Sequence, residues 1–439
     1  MASVPPPAPE IDPAAEPAAG RRLGTFDSLI EVPAFRWYMA AMVGNWASMQ
    51  MQQMVRGLLV YQLTGSFAAL GGMALANSAP RLGLALFGGV MADRMPKRLV
   101  LQVGQSFNAL LTLSIGLLLA FDLLRFEHLV ISAVLQGISN SFTQPSRQAL
   151  IPEVVGLGRL TNAVALNASG MNTMRLTAPA VAGVMLAFVD FEWVYFLMTG
   201  LYMTAVLALT RLPRRPIEGY EDSAQSTSRR AGRGGDRSGL RDIGDALRYL
   251  RGQRTLALLL IVHLFIVVFS MPYQRLLPGF VDEVLSNSDQ QTALRVGFLY
   301  TATGLGALMG SLVIASIPGR RRGKLLLYGT ALMGTALLGF TVSEVFWLSA
   351  GIVMVMGLGQ ASRQALSQVL IQTHVTNEYR GRISSIMMME MGLTSFGTFG
   401  FGVLASKAGI QEALGVAAVA LMLVSAFVYV FVPRSRDLD

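Results

Sequence analysis

The chain has no cysteine, and its three histidines, His128, His263 and His374, stand far apart. The first absence excludes disulfides, thiol catalysis and thiolate metal sites. The second leaves no ligand spacing for a metal centre. Charge is scarce as well. Only 14% of the 439 residues are Asp, Glu, Lys or Arg, against about 25% in soluble domains. The sequence holds no His-Glu-x-x-His, no Gly-x-Ser-x-Gly and no phosphate loop ending in Gly-Lys-Ser/Thr. Zinc, serine and nucleotide chemistry therefore have no visible seat. The expectation is a protein with no catalytic residues, no metal and no cofactor. Any work it does must draw on an ion gradient, with protons the expected ion.

What fills the chain is apolar: 53% of residues are hydrophobic. A membrane-spanning helix needs about 20 such residues in a run. Twelve candidate spans are visible, near 35–61, 67–92, 99–121, 127–150, 162–188, 191–211, 255–283, 294–316, 324–342, 345–370, 383–405 and 411–432. The fold class is thus an all-α membrane protein. Between the sixth and seventh spans lies Arg211–Arg254, polar and rich in Arg, Gly and Ser, with an amphipathic piece at Leu240–Leu250. It reads as a linker between two halves. The expected organisation is a tail at 1–33, a six-helix bundle at 34–212, a linker at 213–254, a second bundle at 255–433 and a tail at 434–439. The first twenty residues, Pro, Ala and acid, lack the basic start and apolar core of a signal peptide. They read as disordered.

The net charge is +9 and the isoelectric point about 10.1. A basic chain can signal nucleic acid, but here the bases alternate with the spans. They crowd into Arg94–Arg98, Arg211–Arg254, Arg320–Lys324, Arg380–Arg382 and Arg434–Arg436. The intervening loops hold mostly acids, among them Asp122, Asp190, Asp282, Glu283 and Asp289. Lys and Arg mark cytoplasmic loops. That puts both termini in the cytoplasm of a multi-pass protein of the cell's inner (plasma) membrane. Its partners are the lipid bilayer and a small-molecule substrate, not nucleic acid, and a monomer is expected.

The halves are related. A shift of 220 residues carries Gly137 onto Gly357, Asn140 onto Gln360, Gln144 onto Gln364 and Leu150-Ile151 onto Leu370-Ile371. Ser-Arg-Gln-Ala-Leu also occurs at 146–150 and 362–366, one helical turn out of this register, and is discounted.

Polar stripes mark the interior, because unsatisfied polar groups are costly in hydrocarbon. The fourth span carries Gln136, Asn140, Thr143, Gln144 and Arg147 on one face. The tenth carries Gln360, Arg363, Gln364 and Gln368. The first carries Asn45, Gln52 and Arg56. Such stripes either line a cavity or hold the bundle together. Arg56, Arg81, Arg175 and Arg275 lie inside spans, each at about 2.5–3.5 kcal/mol on insertion scales. Arg56 and Arg275 lie nearer the outer face and are expected to snorkel to it; Arg81 and Arg175 lie near mid-span. The one deep acid, Glu390, cannot neutralise them all. Either a cavity of positive potential awaits an anionic substrate, or these arginines pair structurally. The candidate substrate cavity is Asn45, Gln52, Arg56, Arg81, Gln136, Asn140, Gln144, Arg175, Gln360 and Gln364. Glu390 is the candidate proton-coupling carboxylate.

One junction is diagnostic: Gly89-Val-Met-Ala-Asp93-Arg94-Met-Pro96-Lys97-Arg98, between the second and third spans. It resembles the signature loop of the major facilitator superfamily, with Pro96 in place of the usual second glycine. That resemblance implies twelve transmembrane helices in two pseudo-symmetric six-helix bundles, a cavity lined by helices 1, 4, 7 and 10, and alternating access. It also implies a cytoplasmic gate, here Gly89, Asp93, Arg94 and Arg98 against Arg380 and Arg382 at the start of the eleventh span, where the Asp93 carboxylate meets the helix dipole. Gly170-Met-Asn172-Thr-Met-Arg175-Leu-Thr-Ala178-Pro179-Ala-Val-Ala182-Gly183 is similar to the superfamily's exporter motif, with Ala178 and Ala182 replacing glycines. The fourth-span motif of proton antiporters is half present, as Gln136-Gly137 with Ala133 at the arginine position. Val60–Ser66, Gln148–Glu153, Leu160–Asn167 and Arg380-Gly381-Arg382 resemble the enterobactin-exporter-like branch, which includes drug effluxers. The function implied is proton-coupled export of a small amphiphilic or anionic molecule, siderophore-like or a drug. The alternatives are a lysophospholipid flippase of the same fold or, in a different class, a membrane-embedded sensor or enzyme.

Overall fold

The computed structural model describes residues 26–213, 248, 253–286, 288–316, 322–374 and 380–431. Within its helices, the side chains of 85–94 and 368–391 and of a few residues near other helix ends lie outside the description. Most of the expected N-terminal tail, nearly all of the linker and the 434–439 tail also fall outside the described residues.

The described chain is helical from end to end. The helices are α1 (Asp27–Glu31), α2 (Pro33–Thr64), α3 (Phe67–Arg94), α4 (Lys97–Ala120), α5 (Phe126–Val155), α6 (Leu160–Leu186), α7 (Phe191–Thr210), α8 (Arg254–Ser270), α9 (Pro272–Phe280), α10 (Asp289–Ser316), α11 (Arg322–Thr341), α12 (Phe346–His374), α13 (Arg380–Ala408) and α14 (Ile410–Phe431). A bilayer offers the backbone no partners, so each crossing closes its hydrogen bonds within itself. Crossings end where the chain allows a turn. Gly65, at φ 57°, terminates α2 and donates its N–H to the Tyr61 carbonyl, the left-handed stop that glycine adopts without strain.

The seventh crossing is broken. Pro272 has no N–H to offer, and α8 gives way to α9 at Met271. A π-helical turn, Val281–Leu285, then carries the chain to its end. Counting α8, α9 and this turn as one, twelve membrane-length segments are present among the described residues. Six are strongly apolar: α4, α7, Leu260–Leu285, Asp289–Ile314, Gly323–Thr341 and Ile410–Val430. α2, α5 and α12, which carry the polar stripes, are not among them.

The two halves repeat each other's packing. α3 lies on α5 as α10 lies on α12, and α4 on α7 as α11 on α14. A Cβ at Gly137 would come 2.2 Å from the Asn77 carbonyl oxygen, and one at Gly357 would come 2.2 Å from that of Thr303. These two glycines are 220 residues apart, so that register is structural. The discounted pentapeptide is structural too. In both copies the Ser, Arg and Leu are buried, the Gln is exposed and the Ala is intermediate. The two registers differ by four residues, about one turn, which leaves the same face inward.

The halves meet along α3 with α13, α6 with α10, and α2 with α9. At the end of the bundle away from the basic loops the backbones nearly touch. A Cβ on Gly402 would lie 2.4 Å from the Phe67 carbonyl oxygen, and one on Gly71 would lie 2.7 Å from the Phe399 Cα. Across the other seam, a Cβ on Gly297 would lie 2.8 Å from the Pro179 carbonyl oxygen, and one on Gly183 would lie 2.9 Å from that of Ala293. Gly71 and Gly297 occupy equivalent helices of the two halves, as do Gly183 and Gly402. Cross-half hydrogen bonds sit along these seams: Ala68 N–H to Ser406 Oγ (2.9 Å), Thr301 Oγ1 to the Leu176 carbonyl (3.1 Å) and Ser395 Oγ to Ser78 Oγ (2.6 Å). This end of the molecule is closed.

Candidate functional site

Within each half the polar stripes converge. On the α2 and α5 side, Arg56 Nη2 donates to Gln136 Oε1 at 2.8 Å, and Gln136 Nε2 donates in turn to Gln52 Oε1. Tyr202 of α7 reaches Gln136, and both Tyr195 and Tyr202 lie in electrostatic range of Arg56. Gln105 of α4 donates to Asn45 Oδ1 at 2.8 Å. Arg147 Nη2 donates to Gln144 Oε1 at 2.7 Å, and Tyr38 donates to Asn167 Oδ1 at 3.2 Å.

The second half answers with amides and phenols. Gln274 Nε2 donates to Gln360 Oε1 at 3.0 Å, and the Tyr300 hydroxyl donates to the Gln274 carbonyl at 2.6 Å. Tyr300 also reaches Gln53 of α2 and lies near Arg275 and Arg175. It therefore stands where α2, α6, α9 and α10 meet.

The arginines form a connected group. Arg81 lies in electrostatic range of Arg275 and Arg147, and Arg275 in range of Arg56. The ion pairs among the described residues, Lys97–Glu153 at 2.6 Å and Arg159–Glu31 at 2.5 Å, sit at the basic end of the bundle and use none of these four, nor Arg175. Arg56, Arg147, Arg175 and Arg275 meet no carboxylate among the described residues. Arg56 and Arg147 are 7% and 8% exposed, and each has a buried Nε with no hydrogen-bond partner. A buried donor left open is costly, so each guanidinium has room for one more acceptor.

The structure sorts the expected cavity residues. Arg56, Gln52 and Gln136 form one bonded chain, Asn45 joins Gln105, and Gln360 joins Gln274. Asn140, Arg81 and Arg175 are half-buried, while Gln144 and Gln364 are exposed in mid-helix. The expectation that Arg56 snorkels to the outer face is corrected. Its guanidinium turns inward to Gln136, because a neutral amide and two phenols offer closer acceptors than the bilayer surface. Arg275 is likewise turned toward Tyr300 and the other arginines. It is exposed between the buried Tyr273 and Leu276.

Arg98, expected at the cytoplasmic gate, caps another helix. It donates to the carbonyls of Leu212 and, at 2.8 Å, Thr210, at the end of α7. With Lys97 bound to Glu153, two bases of the signature loop clamp the first half together. The side chains of Asp93, Arg94, Arg380, Arg382 and Glu390 lie outside the described residues, and at Gly89 only the helical backbone is described. Sequence reasoning missed Tyr195, Tyr202, Tyr273, Gln274 and Tyr300. The available signal was tyrosine inside apolar spans, where a buried hydroxyl needs a partner.

Comparison with known proteins fits this architecture. A family model described as "transmembrane secretion effector" matches residues 26–438. The staphyloferrin A transporter of Staphylococcus aureus is 24% identical over 373 residues, covering 84% of this chain and 88% of that protein. The enterobactin exporter EntS of Salmonella typhi is 23% identical over 361 residues, 81% of each. Among solved structures, a bacterial homologue of the human lysosomal transporter Spinster, inward-facing and occupied, superposes with a TM-score of 0.70 at 13% identity. It covers 94% of this chain and 99% of that one.

Proposed function

The chain belongs to the transmembrane secretion effector family of major facilitator transporters, and from that premise we propose that it exports a small anionic molecule by alternating access. The family and its relatives are transporters rather than enzymes. The observation that carries the proposal is the arginine group between the halves, four of whose members meet no described carboxylate. Guanidinium groups read carboxylate and catecholate oxygens through paired N–H donors. A site so charged and so little neutralised favours a substrate with more than one acidic group. Relatives that move siderophores are in keeping with this chemistry, as is the Ala178-Pro179 element with export.

Proton coupling is assigned to Glu390. Gly392 lies against Leu82 where α13 crosses α3, so the antiparallel register brings residue 390 opposite residue 84, about one turn from Arg81. A carboxylate at that level would alternate between a guanidinium and a proton. Continued from Gly392 and Leu82, the antiparallel register carries Asp93 opposite residue 381, between Arg380 and Arg382. That supports the cytoplasmic gate at Asp93. Both termini are placed in the cytoplasm on the loop bases, so the closed end faces outward and substrate loads from inside.

Proteoliposomes with an imposed pH gradient test the reading. Four probes are compared: citrate, 2,3-dihydroxybenzoate, ethidium and lysophosphatidylcholine. Gradient-driven movement of the two anions is expected. Movement of ethidium alone would overturn the anionic reading, and movement of the lysolipid alone would establish a flippase.

A further inference from the structure

Two prolines interrupt the seventh crossing, Pro272 and Pro278. Neither has an N–H, so the carbonyls four residues earlier, of Val268 and Gln274, lose their helical donors. Neighbouring helices meet both. Gly397 of α13 lies against Val268, where a Cβ would come 3.0 Å from its carbonyl oxygen. The Gln274 carbonyl receives a hydroxyl instead: Tyr300 of α10 donates to it at 2.6 Å. The Gln274 amide in turn donates to Gln360 of α12, so this residue is where α9 is tied to the rest of its half. α9 is a short rod, broken from α8 at Met271, and one of its internal bonds is supplied by another helix.

That rod seals the closed end. Pro278 is seated on Gly57 of α2, where a Cβ would lie 2.9 Å from Pro278 Cγ. The Phe67 and Tyr61 rings lie flush on Gly279, where a Cβ would come 2.4 Å from Phe67 Cε1 and 2.7 Å from Tyr61 Cε2. The Tyr61 hydroxyl donates to Glu283 in the π-turn that follows. The Tyr300 hydroxyl also faces the arginine group. It lies in electrostatic range of Arg275 and Arg175 and reaches Gln53 of α2. Arg275 is exposed and adjoins Gln274 in sequence. An anion held by these guanidiniums comes within reach of the phenol, which bonds a charged oxygen more strongly than a neutral carbonyl.

We propose that Tyr300 couples substrate binding to opening of the closed end. With no substrate bound, its hydroxyl pins α9 through the Gln274 carbonyl. When the site fills, the hydroxyl transfers to an acidic oxygen of the substrate, and α9 is free to leave α2. The proposal rests on the anionic, alternating-access reading above. A ligand shifts a two-state equilibrium only by its differential affinity for the two states. Here the difference is one hydrogen bond, open to the substrate only once the pin is drawn.

The chain has no cysteine, so spin labels at Gln62→Cys and Gln290→Cys report the separation of α2 and α10. In the full-length protein, 2,3-dihydroxybenzoate should raise the ratio of open to closed distances roughly 10- to 150-fold, the worth of one hydrogen bond to a charged group. Tyr300→Phe keeps the ring and removes the pin. Its ratio without the probe should rise roughly 2- to 10-fold, and the probe should then bind, by calorimetry, while adding no more than about twofold. Pro278→Ala tests the same bond from the other side, because it returns a helical N–H to the Gln274 carbonyl and changes no group that meets substrate. In that background Tyr300→Phe should leave the probe-free ratio within about twofold, and the probe should bind without moving the distances. A tyrosine that only fills space would not be made redundant by alanine at position 278. Binding that moves the distances in Tyr300→Phe as in the wild type, or in neither, overturns the pin and leaves the anionic reading standing. Should Tyr300→Phe fail to fold, distances that still follow the probe in Pro278→Ala overturn the pin. A wild-type chain that does not bind 2,3-dihydroxybenzoate overturns the anionic reading, and the pin with it.

Discussion

A methyl group added at Gly402 should open the closed end of this protein. Its Cβ would come 2.4 Å from the Phe67 carbonyl oxygen, about 1 Å short of the 3.4 Å at which ordinary contact begins. The clash is with backbone, so no rotamer change relieves it, and α3 and α13 must separate. Overpacking of this kind costs about 1–3 kcal/mol. The cost falls on the closed state alone, because only there do the two backbones meet. At about 1.4 kcal/mol per tenfold, the open-to-closed ratio should rise roughly 5- to 150-fold. Electron–electron distance measurements between labels at Gln62→Cys and Gln290→Cys would read that change. Gly71→Ala (2.7 Å), Gly297→Ala (2.8 Å) and Gly183→Ala (2.9 Å) should follow with smaller shifts, and Gly72→Ala, with nothing within 4 Å, should cause none. An unshifted Gly402→Ala, or a shift equal to that of Gly72→Ala, would refute the reasoning.

Other outcomes follow from the same geometry. Gln136→Leu strands both Arg56 and Gln52 in a buried site and should cost about 1–3 kcal/mol of stability; thermal unfolding followed by tryptophan fluorescence would show it, and an unchanged midpoint would mean the relay is idle. Arg56→Gln keeps a donor at the site but removes the charge, so affinity for 2,3-dihydroxybenzoate should fall roughly 10- to 150-fold, measured by calorimetry. Asp93→Asn should shift the balance of the two faces without abolishing that binding, as read by labelling of single cysteines on either side. Glu390→Gln should retain substrate exchange yet lose uptake driven by a pH gradient in proteoliposomes.

Much of this was legible in the residues, for identifiable reasons. Apolar runs of membrane length have one solution in a bilayer, so the helices were readable to within a few residues. Gly137 and Gly357 betrayed the repeat because close contact with a carbonyl leaves room for nothing larger. The polar stripes on α2, α5 and α12 were visible as helical spacing. The direction in which Arg56 points was not, because its choice between bilayer surface and Gln136 depends on where α5 and α7 stand. Tyr300 was hidden for the same reason: its value lies in joining four helices, and no local pattern records that. The pentapeptide at 146–150 and 362–366 was discounted because sequence register is counted in residues, whereas packing is indifferent to one added turn. The role of Arg98 was assigned by resemblance, and the carbonyls at the end of α7, distant in sequence, claimed it instead.

On the proposed function, the arginine group selects the sign of the cargo. Its most direct test is efflux of 2,3-dihydroxybenzoate and of ethidium from the same proteoliposomes, for the wild-type chain and for Arg275→Gln. The predicted result is anion efflux that falls at least tenfold in the variant, with no cation efflux in either. Ethidium efflux by the wild type that Arg275→Gln leaves intact, or an equal loss for both probes, would contradict it.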